Sequence, residues 1–140
     1  MIVLDTNVIS EVMRPVPDPQ VMAWLRAQPV NEAFTTAIAE AEIFKGIELM
    51  ASGRRRFELL EVAQSYFSVD MANRILPFDS AAARWFAGLF AQRKRSGLPI
   101  TPLDAQIAAI VRAHNATLAT RNTKDFDHCG IIVTNPWLAR

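Results

Sequence analysis

A single cysteine, Cys129, stands in a chain of 140 residues. No disulfide can form within it, and a lone thiol suits a reducing compartment. Only two histidines, His114 and His128, accompany it, which falls short of the four ligands of a structural zinc site, so zinc is not expected. Excess charge of one sign is missing too. Fifteen basic residues against 14 acidic ones leave a formal net charge of +1, so any contact with nucleic acid must use local basic patches rather than a global polycationic surface. The apolar start Ile2-Val3-Leu4 is broken at once by Asp5, with no basic leader before it. No later stretch approaches the ~20 apolar residues of a membrane span. A soluble, cytoplasmic protein without membrane contact is expected. Repeats, low-complexity tracts and linkers are absent. With 51% hydrophobic residues, residues 1–140 are expected to form one domain with its own core.

What is present alternates between short apolar runs and helical patterns. Ile2-Val3-Leu4 reads as a strand, and a brief helix from about Thr6 to Met13 is stopped by Pro15-Val16-Pro17. Asp18-Pro19 opens a second helix, with the aspartate as N-cap and the proline at the first helical position. Ala33–Thr36 is a strand, and Ile38, Ile43, Ile47 and Met50 carry helical period up to Ser52-Gly53. A further helix is expected from Arg55 to Tyr66, then a strand over Ile75–Phe78 that Pro77 places at an edge or strand end. Asp79 caps a helix running to about Arg95, and Thr101-Pro102 opens another that ends near His114. Thr117–Thr120 and Ile131–Val133 supply the last strands. This order predicts an α/β fold, a mostly parallel sheet with helices on both faces.

Four acids, Asp5, Glu42, Asp104 and Asp125, lie next to boundaries where a strand or loop hands over to a helix. The carboxyl ends of strands are where open α/β sheets place their active sites. Gathered carboxylates repel one another unless a hard cation lies between them, and Mg²⁺ or Mn²⁺ is the natural occupant of an all-oxygen site. Each acid also has a plain structural account. Asp5 suits a helix N-cap; Asp104, three residues after Thr101, suits a capping box. Glu42 is equally an exposed charge on an amphipathic helix, although Gly46, one turn on, leaves its face open to close approach. Glu40 lies about 200° away around the same helix and should face elsewhere. Asp125 follows a strand in Thr120-Arg121-Asn122-Thr123-Lys124-Asp125-Phe126, where a solvated turn competes with a site role and Asn122 is an alternative donor. The runs Arg54-Arg55-Arg56 and Arg93-Lys94-Arg95 read either as solvated helix ends or as a phosphate-binding rim. Trp24, Trp85, Phe86 and Phe90 are candidates for a groove or a homodimer interface, with core burial as the ordinary fate of at least half of them.

With Asp5-Thr6-Asn7, Glu42 followed by Gly46, Thr101-Pro102-Leu103-Asp104 and Thr120-Arg121-Asn122-Thr123-Lys124-Asp125-Phe126 in the order found, the chain resembles PIN-domain proteins. Within them it is most similar to VapC-type toxins of toxin-antitoxin pairs, on the FitB-like branch. The resemblance runs from Met1 to Trp137. It implies a three-layer α/β/α sandwich and an Mg²⁺- or Mn²⁺-dependent ribonuclease. Asp5, Glu42 and Asp104 match the first three acidic positions, with Thr6 and Asn7 completing the opening triplet. At the fourth position this chain has Asn122 where many relatives carry an acid, with Asp125 three residues later, which leaves a second metal open. The implied partners are RNA, a co-encoded antitoxin, operator DNA reached only through that antitoxin, and a second copy of the chain. Two other readings compete: a PIN module that no longer cuts and serves as a binding partner in an antitoxin-DNA complex, and a metal-dependent phosphatase or phospho-receiver. The last lacks support, because Asp5-Thr6-Asn7 is not the paired-aspartate pattern of haloacid-type phosphatases.

Overall fold

The computed structural model describes residues 1–139. Five strands, β1 (Ile2–Leu4), β2 (Ala33–Thr36), β3 (Ile75–Leu76), β4 (Thr117–Ala119) and β5 (Ile132–Thr134), form a sheet in the order β3-β2-β1-β4-β5. Every pairing is parallel. Parallel neighbours need crossovers, and helices supply them: α1 (Thr6–Val12), α2 (Pro19–Arg26), α3 (Ala37–Glu48), α4 (Arg54–Ser65), α5 (Ser80–Arg95) and α6 (Pro102–Ala113). Successive strand residues face opposite sides of a sheet. Val3 and Leu118 therefore join the core under α5 and α6, while Leu4 and Ala119 join the core under α1 to α4. The result is the expected α/β/α sandwich.

The helix starts follow the capping residues. Asp18 accepts hydrogen bonds from the Gln20 and Val21 amides, Asp79 from that of Ala82, Thr36 from that of Ala39 and Thr101 from that of Asp104. Each satisfies a donor that the first turn would otherwise leave unpaired. Boundaries shift in physically readable ways. β3 stops at Leu76 because Pro77 has no amide to give the ladder, and it is an edge strand. α4 does not end at Tyr66 but runs into a π-helical turn over Tyr66–Asp70, which places Phe67 in the core against Phe44 and edge-on to Tyr66. Short 3-10 turns at Val30–Glu32 and Thr123–Phe126 were not expected from the sequence.

Three of the four aromatic groove candidates pack on the cores. Trp24 lies against the core under α1 to α4, and Phe86 and Phe90 stack on each other against the other core. Trp85 alone remains largely exposed, with the Arg112 guanidinium 4.4 Å from its ring centroid. Among the described residues no helix is long and apolar enough to cross a membrane.

Candidate functional site

From β1 the chain builds outward through β2 and β3 on one side, then returns to place β4 and β5 on the other. The reversal point lies between β1 and β4, and open α/β sheets form their crevice at the carboxyl ends of such strands. Leu4 pairs with Ala119 in register, and the Asp5 amide donates to the Ala119 carbonyl at 2.9 Å. Asp5 and Thr120 are thus the first residues beyond two adjacent strand ends. Thr120 is fully buried, and its hydroxyl donates to Asp5 Oδ2 at 2.7 Å while accepting from Asn7 Nδ2 and from the Asn122 amide, both at 3.1 Å. Asn7 also approaches Asp5 Oδ2 at 3.4 Å and accepts from the Arg121 amide at 3.2 Å. The Thr6 amide donates to Asp5 Oδ1 at 2.8 Å. Asp5 is therefore both the cap of α1 and a buried carboxylate fixed from three sides.

Glu42 arrives from α3, where Thr6 Oγ1 donates to its Oε1 at 3.0 Å. Asp104 arrives from the first turn of α6. All three acids line one open cleft of about 430 Å³, together with Thr6, Asn7, Ser10, Glu11, Arg14, Arg121, Asn122 and Trp137. Burial is the main force on Asp5, pushing its carboxyl from the ordinary 3.8 up to about 6; the Thr120 and Thr6 hydrogen bonds oppose this, and the charges of Asp104 and Glu42 add to it. Asp104 is also raised, first by burial, with Thr101 lowering it, Asp125 raising it and Arg93 lowering it. The two acids are thus held in a setting that penalises their negative charge, which a bound cation would relieve.

The lining donors are almost all oxygens, the chemistry of a hard divalent ion. Among the described residues, however, no three His, Cys, Asp or Glu side chains stand close enough to ligate one ion together. Mg²⁺ commonly binds through one or two carboxylates and keeps several waters. The open cleft fits an ion held that way and does not fit a dehydrated cage.

Other sequence expectations fall on either side. Asn122 lines the cleft, whereas Asp125 does not; it lies in the Thr123–Phe126 turn, and its charge reaches Asp104. Glu40 is outside the cleft. Gly46 lines an apolar trough beside it, which shares Thr6, Ser10, Arg14 and Glu42 with the cleft, and a Cβ added at that glycine would point into open space. None of the six basic-run residues lines the cleft. Arg93 needs correction as an RNA contact: it is 6% exposed, and its guanidinium donates to the carbonyls of Leu98, Asp125 and Asp127. Its place one turn after Leu89 on the buried stripe of α5 was the available signal. Arg56 is tied to Glu48 at 2.8 Å, while Arg55, Lys94 and Arg95 are exposed. Sequence reasoning gave no role to Thr120, Arg14, Glu11, Arg121 or Trp137. Only the position of Thr120 at the end of a predicted strand, with Arg121 directly after it, pointed their way.

Residues 2–131 match the PIN domain. The chain is 42% identical to VapC ribonuclease Y4jK of Sinorhizobium fredii over 137 residues, covering 98% of both chains. It is 39% identical to toxin FitB of Neisseria gonorrhoeae over 98% of this chain and 99% of that one. Among solved structures, FitAB bound to an IR36 DNA fragment superposes with a TM-score of 0.92 at 38% identity, covering 100% of this chain and 98% of that one. With the acids of Asp5, Glu42 and Asp104 lining one cleft at the sheet's reversal point, and with likeness of this extent in both sequence and fold, the chain belongs to the PIN-domain family and stands within it beside the VapC and FitB toxins.

Proposed function

We propose that the chain is an Mg²⁺- or Mn²⁺-dependent ribonuclease and the toxin of a toxin-antitoxin pair. The observation that carries this reading is the cleft itself: Asp5, Glu42 and Asp104 come from three separate elements to one open site, and two of them are held with raised proton affinity. The printed names of similar proteins, a VapC ribonuclease and toxin FitB, supply the substrate class and the biological setting. Asp5, oriented by Thr120 and Thr6, and Asp104 at the α6 terminus would hold the ion, with Glu42 positioned by Thr6. Once bound, Mg²⁺ or Mn²⁺ would supply Lewis-acid polarisation of the phosphate and activation of water. Glu42, on the α3 side, would orient the attacking water. Asn122 offers a neutral donor and acceptor at the rim. The cleft is open, and a single-stranded or looped RNA presents its backbone in the form such a site can reach.

A free ribonuclease is toxic to its host, so the reading includes a co-encoded antitoxin, as in the FitAB complex. A partner segment lying in the apolar trough would bring a basic side chain within reach of the acids, where an arginine satisfies carboxylates without activating water. The test is cleavage of a mixed RNA pool with Mg²⁺ or Mn²⁺. Asp5→Asn and Asp104→Asn should each lose about a hundredfold or more of the activity, since even groups that only support metal ligands are worth 10- to 100-fold, and Glu40→Ala should cut as wild type does. Full activity in excess chelator, or in either Asn variant, would refute the reading.

A further inference from the structure

Two cations stand on the rim of the acidic cleft, Arg14 and Arg121, and they are held in different ways. Arg14 Nη1 lies 3.3 and 3.4 Å from the two carboxylate oxygens of Glu11, a buried acid, so its charge is answered locally. Arg121 has no such partner among the described residues. What fixes Arg121 is its backbone and a stack. Its amide is clipped to Asn7 Oδ1, and its guanidinium lies 5.0 Å from the ring centroid of Trp137. Trp137 is itself anchored by its amide on Asn135 Oδ1 at 2.9 Å and packs on the core under α1 to α4.

An exposed arginine ordinarily loses much rotamer freedom when it binds an anion. Here the stack holds the guanidinium in place beforehand, with its fork of donors unengaged by the other described residues, on the lining of a cleft otherwise dominated by negative charge. A polyanion entering that cleft is repelled by the carboxylates wherever no cation intervenes, so a guanidinium that lines the same cleft and has no carboxylate partner among the described residues is suited to receive phosphate. Bidentate recognition of phosphate is what a planar guanidinium does best.

We infer that Arg121, braced by Trp137, binds a backbone phosphate of the RNA strand adjacent to the one that is cut, and so sets the strand in register over Asp5, Glu42 and Asp104. This rests on the nuclease reading. The experiment measures equilibrium binding of a labelled single-stranded RNA of mixed sequence to the Asp104→Asn protein with Mg²⁺ present, over a series of salt concentrations. Adding Arg121→Ala should weaken binding by about tenfold and reduce the slope of log K against log salt by about 0.7, the value of one phosphate contact on a single strand. Arg121→Lys should keep the slope while losing part of the affinity, and Trp137→Leu should do the same, because the charge stays while its bracing is lost. In the otherwise wild-type enzyme, Arg121→Ala should raise KM more than it lowers kcat. Unchanged affinity and slope in Arg121→Ala, beside a wild type that cuts RNA, would overturn the inference and leave the nuclease reading standing. A parent that binds no RNA, with a wild type that cuts none, would overturn both.

Discussion

Asp5 shows how one side chain serves two ends. As the cap of α1 it takes the Thr6 amide, and as a site carboxylate it is buried among Thr120, Asn7 and two further acids. Its raised proton affinity makes a prediction about stability. An unfolded chain releases this proton near 3.8, the folded one near 6. The folded state therefore binds more protons between those values, and stability contributed by protonated Asp5 is complete below about pH 4 and lost as pH rises through about 6, a change of about 3 kcal/mol without metal. Denaturant unfolding of wild type and Asp5→Asn across this range should show the variant gaining relative stability by that order as pH rises, and added Mg²⁺ at neutral pH should restore wild type selectively. Parallel pH profiles for the two proteins would contradict the account. Thr120→Val tests the same carboxylate from the other side. It removes the 2.7 Å hydrogen bond to Asp5, leaves the Asn122 amide without its acceptor and leaves Asn7 Nδ2 with only its 3.4 Å contact to Asp5, which should cost about 1–3 kcal/mol. Because that bond lowers the proton affinity of Asp5, its loss should also move the acidic limb of the pH–rate profile upward. A Thr120→Val enzyme with wild-type stability and pH profile would show that the network has no such role.

At the scale of elements, helix starts were the most legible part of the sequence, because a cap is a local hydrogen bond. Asp18-Pro19, Asp79 and Thr101-Pro102 each open the helix they were expected to open. The π-helical turn at Tyr66–Asp70 was not legible, since its cause is the seating of Phe67 in a core made by distant residues. The turn before β5 has its own demand. Gly130 has a φ of 73°, and an added Cβ would lie 2.1 Å from Arg112 Nη1, the group that donates to the Cys129 carbonyl at 3.1 Å. Gly130→Ala combines left-handed strain with a clash and should destabilise by more than about 1 kcal/mol, read as a lower denaturant midpoint. Arg112→Ala in the same background should recover the steric part only. A neutral Gly130→Ala would mean that the turn relaxes freely.

At the scale of the whole molecule, the sheet's strand order decides which residues become a site. Asp5 and Asp104 could be picked out along the chain because each sits at a helix start, whereas Glu42 lies in the middle of α3 rather than at the boundary expected for it, and only Gly46 one turn on set it apart. Thr120 and Arg121 could not be picked out, because their importance depends on β4 lying next to β1, a pairing that periodicity does not encode. Arg93 erred in the opposite direction: a basic run looks solvated, yet the period of α5 turns its first member into the core. Alternation of strands and helices was enough for a parallel sandwich, while the reversal point that locates the cleft emerged only from the three-dimensional order.

The central claim of the proposed function is that Asp5 and Asp104 together hold a divalent cation, and Mn²⁺ titration followed by electron paramagnetic resonance, with no RNA present, tests it most directly. The account predicts that wild type removes free Mn²⁺ from solution and that Asp5→Asn and Asp104→Asn each weaken this binding by about tenfold or more, while Glu40→Ala leaves it unchanged. Equal binding by all four proteins, or none by wild type, would contradict it.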